Sequence, residues 1–204
     1  GESDEAVSYA IYELLDRLGC RWYLPGPMGA VIPARPTVAL APRDLAEAPA
    51  IWYRNIWYAD EDFKRRNRMG GVRPNASHAL EISNYLTREQ LTQHPDWNAE
   101  IGGKRSLNGR YCWGNPEVAD AIASNLVARL DAQPASSISL SPNDGIDFCQ
   151  CARCRALDAG DRDPVLNCVS LTDRLLWFCN RIATRVTLRH PDVLFGLYAY
   201  VQYT

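Results

Sequence analysis

The sequence predicts an α/β fold with a parallel sheet, and three observations support this prediction. From about residue 50, segments typical of buried strands alternate with amphipathic helices. Long helices connect consecutive strands, which is the order that gives right-handed crossovers in a parallel sheet. The last predicted element, residues 193–203, is itself a strand, and the sheet would be expected to continue into another helix. We therefore expect the chain to be part of a larger barrel.

The first 42 residues predict one helix and two short strands. Residues 4–18 carry apolar side chains at helical spacing, with acidic residues in the first turn and a glycine directly after the last apolar position. Residues 20–24 predict a short buried strand. Residues 29–40 contain a second candidate strand, which two prolines interrupt.

Residues 50–58 are the second strong strand candidate, because they are rich in aromatic and β-branched side chains. Arg54 and Asn55 are polar residues inside this apolar run. A buried polar group needs a partner, so the Arg54 side chain is expected to contact either a ligand or a structural partner. Both interpretations of Arg54 remain open at this point.

Helices and strands then alternate toward the C-terminus. The charged residues 60–69 predict one helix, and residues 87–94 predict a second that begins at Thr87. Asn115-Pro116-Glu117 is typical of a helix start, with Asn115 as the N-cap, and this helix extends to about residue 132. The other predicted elements are strands at 72–80, 110–113 and 136–142, a hairpin at 98–105 and a helix at 170–188.

Residues 136–158 carry most of the candidate chemistry. Ile138 and Leu140 alternate with serines, which predicts a strand that ends at a proline. Asn143 and Asp144 follow directly, at the end of a strand where ligands bind in parallel α/β proteins. Asp144 is therefore the first candidate for a functional residue. The alternative is a purely structural role, because Asn-Asp-Gly is a common turn sequence.

Composition excludes several functional classes. The chain has 204 residues, of which 47% are hydrophobic and 23% charged, as in ordinary globular proteins. The net charge is −2 and no Lys/Arg-rich run is present, which argues against nucleic acid as a partner. No run approaches the roughly 18 apolar residues of a membrane span, and the first residues do not form a signal peptide.

Several phrases together resemble the family known as domain of unknown function 4838, with the cysteine phrase as the most specific of them. These phrases are Y-E-L-L-D-R-L-G-C-R-W-Y-L-P-G (12–26), R-N-R-M-G-G (66–71), H-P-D-W-N-A-E-I-G-G-K-R (94–105), Y-C-W-G-N-P-E-V (111–118), S-L-S-P-N-D-G-I-D-F-C-Q-C-A-R-C-R-A-L-D (139–158) and L-Y-A-Y-V-Q-Y-T (197–204).

The resemblance implies a fold, a location and a substrate class. Members of this family are large, usually exported bacterial proteins similar to glycoside hydrolases, in particular to alpha-glucuronidases and hexosaminidases. By this resemblance residues 1–42 are the end of a small α/β domain of the alpha-glucuronidase N-terminal type plus a linker. Residues 43–204 then correspond to the first half of a (β/α)8 TIM-type barrel, about five strands. The expected location is extracellular or periplasmic.

The same resemblance implies a role for the candidate residues. In the related hydrolases the general acid lies at the end of the fourth barrel strand, which corresponds to Asp144. The hexosaminidases carry Asp-Glu there, whereas this chain has Asn143-Asp144. Asp144 would protonate the glycosidic oxygen from a buried position, Arg54 would bind a carboxylate or hydroxyls, and aromatic rings would stack on the sugar. The substrate-binding candidates are Arg54, His78, Asn143, Tyr198 and Tyr200.

Three functions follow as hypotheses. The first is a fragment of a hydrolase that acts on O-glycosyl bonds, and a fragment would be inactive if the second carboxyl group lies on a later strand. Its partners would be carbohydrate and the remainder of its own barrel. The second is a non-catalytic carbohydrate-binding barrel. The third is a zinc-stabilised interaction module.

The cysteines leave three interpretations open. Cys149, Cys151 and Cys154 form a C-x-C-x-x-C motif. Zinc prefers four ligands, and Cys112 would supply the fourth if both loops lie at the same rim. A disulfide within the loop or to Cys112 is slightly preferred, because it suits an exported protein, and free thiols rank third. Apart from zinc at this loop, no cofactor is expected.

Overall fold

The computed structural model describes residues 3–42, 44–81, 85–107 and 109–204 and divides the chain into two compact units. The first unit is Gly1–Arg73 and the second is Pro74–Thr204. The predicted domain boundary between residues 42 and 43 falls inside the first unit and stays a prediction. No helix in the described ranges combines the length and the apolar composition needed to cross a membrane.

The described residues of the first unit form two α-helices, a 3-10 turn (Pro27–Gly29) and two short antiparallel strand pairs. Helix α1 (Asp4–Arg17) begins where the Ser3 hydroxyl accepts a hydrogen bond from the Ala6 N–H at 3.1 Å, which satisfies one of the free donors of the first turn. The other elements are β1 (Arg21–Trp22) paired with β2 (Ala30–Val31), β3 (Tyr53–Arg54) paired with β4 (Gly70–Gly71), and α2 (Glu61–Arg66).

The prediction of a buried strand over residues 50–58 is wrong in both extent and burial. Only β3 forms a ladder, because only these two residues face a pairing partner in β4. The rings of Trp52, Trp57 and Tyr58 are 80%, 61% and 100% exposed. Strand propensity is therefore realised here only where the backbone finds hydrogen-bond partners.

The second unit begins with short elements and ends with a helix-rich half. Its elements are α3 (Arg88–Gln93), a 3-10 turn (Pro95–Trp97), the hairpin strands β5 (Glu100–Ile101) and β6 (Lys104–Arg105), α4 (Pro116–Ala132), β7 (Ser137–Ser139), α5 (Ala152–Arg155), α6 (Thr172–Thr187) and β8 (Leu194–Gly196).

Local sequence signals account for the ends of these elements. At α3 the Thr87 hydroxyl accepts from the Gln90 N–H while the Gln90 side chain accepts from the Thr87 N–H, which is a complete capping box. At the start of α4 the side-chain oxygen of Asn115 accepts a hydrogen bond from the Glu117 N–H at 3.1 Å, as predicted. The β5–β6 turn uses glycines at both central positions because both have positive φ, 58° and 73°.

Parallel pairing is present where the sequence predicts its central strand. Strands β7 and β8 pair in parallel, with Ile138 opposite Phe195, and α6 lies between them in the chain. His78 forms a further parallel bridge with Ser141, whose carbonyl oxygen also accepts the Leu80 N–H at 2.9 Å. The βαβ order of the prediction is thus confirmed for the β7–α6–β8 segment.

Other predicted strands are shorter than expected. The strand predicted at 72–80 is reduced to the bridge at His78, and the one at 193–203 to β8. The segment 110–113 contributes only an antiparallel bridge between Tyr111 and Asn98. The described residues form a mixed α/β fold with four two-stranded sheets and no closed barrel, and the partial barrel stays a prediction.

The core of the second unit lies between α4 and α6. Both helices bury one apolar face, as their predicted periodicity requires. Phe178 and Ile182 of α6 are fully buried, and burying side chains of this size contributes about 1.5–3 kcal/mol each. The buried apolar residues of the two helices are Val118, Ala119, Ile122, Ala123, Leu126, Leu130, Leu175, Phe178, Cys179, Ile182 and Val186.

Candidate functional site

Four buried cysteines form a compact tetrad in the second unit. The sulfur atoms of Cys112, Cys149, Cys151 and Cys154 all lie within 4.8 Å of one another. The Cys112 sulfur is 3.6 Å from that of Cys151 and 3.8 Å from that of Cys154. The structure therefore brings the C-x-C-x-x-C motif together with Cys112, as the sequence predicts for a four-ligand site.

Two segments of the second unit supply the four sulfurs of the tetrad. Cys112 lies in the turn just before α4, and the other three lie in the loop that follows β7 and enters α5. The two segments touch at Gly114, where an added Cβ would lie 2.7 Å from the Cys154 nitrogen. Together with Ala99, the four cysteines form a small buried cluster of their own.

Backbone donors and one guanidinium point at the sulfurs. The Glu100 N–H donates to the Cys149 sulfur at 3.2 Å, and the Gly114 N–H donates to the Cys154 sulfur at 3.1 Å. Burial lowers the pKa of Arg105, but hydrogen bonds with the sulfurs of Cys112 and Cys151 outweigh this effect and raise it. This environment stabilises negative charge on the tetrad.

The thiols of Cys112, Cys149 and Cys154 do not ionise independently. The Cys112 thiol donates to the Cys149 sulfur, which lowers the pKa of Cys149 and raises that of Cys112 to about 11. Hydrogen bonds with Cys112 and then with Cys149 raise the pKa of Cys154. One thiolate therefore forms first, and further ionisation needs a cation that balances the accumulated charge.

The separations of the four sulfurs are compatible with a tetrahedral metal ion. Zn–S bonds of about 2.3 Å place the sulfurs of a tetrahedral centre about 3.8 Å apart, close to the 3.6 and 3.8 Å found here. All seven cysteines are free thiols in the structure. The choice between zinc and the disulfide that the sequence slightly favours therefore stays a prediction.

A second group of side chains lies at the ends of β7 and β8. His78 Nε2 is 3.2 Å from an Asp144 carboxylate oxygen, and its Nδ1 is 2.6 Å from the Pro142 carbonyl oxygen, where it acts as the donor. The rings of Tyr198 and Tyr200 lie 4.9 and 5.5 Å from the imidazole. The structure brings these four predicted side chains together, and Asn143 adjoins Asp144 in the turn.

Two of the predicted site residues differ from expectation. The Asp144 carboxylate is 72% exposed, so the burial that its predicted acid role requires is not observed. Arg54 belongs to the first unit, where its guanidinium donates to the carbonyl oxygens of Ile51 at 2.7 Å and Arg68 at 3.1 Å. These contacts favour the structural interpretation of Arg54.

Two buried charged residues at the Asp144 turn were not predicted. The Glu81 carboxylate is 1% exposed and accepts the Asn143 N–H at 3.0 Å. Arg110 donates to the carbonyl oxygens of Asn143 at 2.8 Å and Asp144 at 2.5 Å. Glu81 follows directly after the predicted strand 72–80, as Asp144 follows β7, and this position was the signal in the sequence that could have identified it.

Burial changes the chemistry of Glu81. It raises the pKa of this carboxyl to about 7, although the Asn143 N–H and the Arg110 charge favour the ionised form. A carboxyl group with such a pKa can exchange a proton near neutral pH. The second unit therefore holds a titratable carboxyl group directly against the Asp144 turn.

Comparison with known proteins identifies the family and no closer relative. Residues 24–204 match the family described as Domain of unknown function (DUF4838). No curated protein matches the chain, and no solved structure does. The relation to glycoside hydrolases stays a prediction, whereas the match over most of the chain confirms the family resemblance. The chain belongs to the family of the Domain of unknown function (DUF4838).

Proposed function

We propose that the chain is part of a carbohydrate-active protein that hydrolyses glycosidic bonds in a polysaccharide or oligosaccharide, including substrates that contain uronic acid. The observation that carries this proposal is the Asp144–His78 pair at 3.2 Å beside the rings of Tyr198 and Tyr200. A carboxylate, an imidazole and aromatic rings are groups that bind sugar hydroxyls and stack on sugar faces.

The proposal assigns proton transfer to Asp144. The Asp144 side chain is exposed here, so the proposed acid role needs a covering surface that removes it from water. We propose that the remainder of a (β/α)8 barrel, of which residues 43–204 form about the first five strands, supplies this cover. The parallel pairing of β7 with β8 and the parallel bridge at His78 support such a barrel.

A glycan and aryl-glycoside screen on the longest natural form of the protein tests this function. Asp144→Asn is the test variant. Asp147→Asn is the matched control, because Asp147 is an exposed aspartate in the same loop. We expect hydrolysis that is lost in the first variant and kept in the second. Hydrolysis that survives Asp144→Asn would make Asp144 a turn residue. Sugar binding without turnover in all three proteins would favour the non-catalytic carbohydrate-binding barrel.

A second candidate function, a structural zinc centre, is favoured by the cysteine tetrad. Cys112, Cys149, Cys151 and Cys154 would hold one Zn²⁺ in a closed four-sulfur site, which has a structural rather than a catalytic role. The ion would supply the positive charge that four buried thiolates require. As the predicted zinc-stabilised module, it would hold the loop after β7 against the start of α4.

Metal analysis of protein purified without added zinc tests the centre. We expect about one zinc per chain in the wild type and far less in Cys154→Ser. Cys168→Ser is the control, because Cys168 is half-buried and lies outside the tetrad. A metal-free wild type in which all seven thiols titrate would exclude the zinc centre, and a metal-free wild type with only five free thiols would indicate a disulfide.

A further inference from the structure

Glu81 and Arg110 lie against the turn that carries Asp144, and both are nearly inaccessible to solvent. Their side chains are 1% and 10% exposed, with 3.9 Å between the Arg110 Nη1 and a Glu81 carboxylate oxygen. Removing either partner would leave the charge of the other buried, and such a loss is strongly destabilising. A buried pair of this kind is costly to build, so its hydrogen bonds indicate what it stabilises.

Those hydrogen bonds go to the backbone of the turn. Glu81 accepts the Asn143 N–H at 3.0 Å. Arg110 donates to the carbonyl oxygens of Asn143 and Asp144 at 2.8 and 2.5 Å. The guanidinium also occupies the space beside Gly145, where an added Cβ would lie 2.8 Å from Nη2. Three hydrogen bonds between these two buried side chains and the backbone thus determine the path of the turn.

We propose that Glu81 and Arg110 are positioning residues for Asp144, and that the charge on Glu81 controls how firmly they hold the turn. The proposal concerns the turn that carries Asp144. It rests on the proposed hydrolysis only for its expected effect on catalysis. The hydrogen bonds from these two side chains to the backbone of the turn can be measured without substrate. One proposal can therefore fail while the other stands.

The surroundings of Glu81 support a change of charge near neutral pH. Burial raises its pKa to about 7, against the opposing effects of the Asn143 N–H, the Arg110 charge and the Trp113 indole. The ionised carboxylate accepts the Asn143 N–H and balances Arg110, whereas the protonated form does neither as well. The other titratable groups that interact with Glu81 are Tyr111, Cys179 on α6 and Tyr203.

The Asn143 amide resonance reports this charge directly. In a pH titration of the ¹⁵N-labelled chain we expect the wild-type signal to move with a midpoint of about 7. The movement should disappear in Glu81→Gln and persist in Glu89→Gln, because Glu89 is exposed on α3. It should also persist in His78→Gln, which removes the imidazole that lies 3.2 Å from the Asp144 carboxylate. A static wild-type signal, or a movement lost only in His78→Gln, would overturn the proposal.

Arg110→Lys provides a second test in case Glu81→Gln fails to fold. Lysine keeps the charge, but its single ammonium cannot reach both carbonyl oxygens as the planar guanidinium does. We expect the amides of residues 143–145 to exchange with solvent about tenfold faster or more, with unchanged exchange in α4. Unchanged exchange at the turn would overturn the proposal. If neither variant folds, the wild-type titration and the His78→Gln titration beside it remain decisive.

Discussion

Arg174 of α6 forms a buried bidentate ion pair with Asp158. Its Nε and Nη2 donate to the two carboxylate oxygens at 2.9 and 2.5 Å, and the two side chains are 4% and 11% exposed. The remaining nitrogen, Nη1, donates to the Cys149 carbonyl oxygen at 2.7 Å. One guanidinium therefore connects the cysteine loop to α6.

Loss of this pair should destabilise the protein. We expect Asp158→Ala to lower the free energy of unfolding by about 3–5 kcal/mol, because it leaves the Arg174 charge buried without a partner. Urea denaturation at pH 7 measures this change. Asp131→Ala is the control: it breaks contacts with Arg189 and His190, and because the Asp131 and Arg189 side chains are 44% and 68% exposed, it should cost about 0–1 kcal/mol. Equal losses in the two variants would contradict the prediction.

Gly114→Ala should disturb the cysteine tetrad by steric means alone. The added methyl would lie 2.7 Å from the Cys154 nitrogen and 2.8 Å from the Arg153 carbonyl carbon, and backbone atoms of a packed turn cannot move freely. We expect a loss of about 1–3 kcal/mol in stability and weaker zinc retention in competition with a chelator.

The same substitution at Gly160 is the control for this experiment. Gly160 has a φ of 86° but nothing within 4 Å of an added Cβ. Gly160→Ala should therefore cost only about 1–2 kcal/mol of backbone strain and leave zinc binding unchanged. If Gly114→Ala retained zinc as tightly as Gly160→Ala does, the close contact at Gly114 would not affect zinc binding by the tetrad.

Chelation should separate a metal centre from a disulfide. We expect a zinc chelator to lower the melting temperature by at least about 10 °C, with recovery on addition of zinc. Cys154→Ser should melt at the lower temperature with or without chelator. Calorimetry under reducing conditions provides the comparison: a chain destabilised by reductant and indifferent to chelator would hold its loop by a disulfide.

Stability should depend on pH through Glu81. Its pKa is raised to about 7 in the folded chain from 4.5, so the folded state binds the proton more tightly between these values. The stabilisation that this tighter proton binding gives is fully present below about pH 4.5 and is lost as the pH rises through 7. Relative to Glu81→Gln, the wild type should lose about 3 kcal/mol across this window. Denaturation at pH 5 and pH 8 measures the difference, and Glu89→Gln should follow the wild type. Parallel curves for Glu81→Gln and wild type would contradict this sign.

Local signals in the sequence predicted the helices and turns well. Asn115 and Thr87 cap helices because their side chains bond to backbone groups two or three positions away, so the interaction is contained within a few residues. The β5–β6 turn depends on the positive φ of its two glycines, and the Gly-Gly pair in the sequence is itself a turn signal. These features need no information from distant parts of the chain.

Strands and buried charges were harder to predict because both depend on distant partners. The aromatic run at 50–58 has strand propensity, but only β3 meets a partner strand. Glu81 is one glutamate among apolar neighbours, and its burial results from contacts with Asn143 and Arg110, 62 and 29 positions away. The cysteine tetrad was anticipated because three of its four members share one short motif.

The tetrad also has a consequence for the order of folding. Cys112 and Cys151 are 39 positions apart, and the chain between them contains α4 and β7. The proposed zinc ion, bonded to both sulfurs, would close that segment into a ring and remove much of the loop entropy that opposes contact between its ends. We therefore expect the α4–β7 segment to become compact early, so that α6 and β8 assemble on a preformed surface.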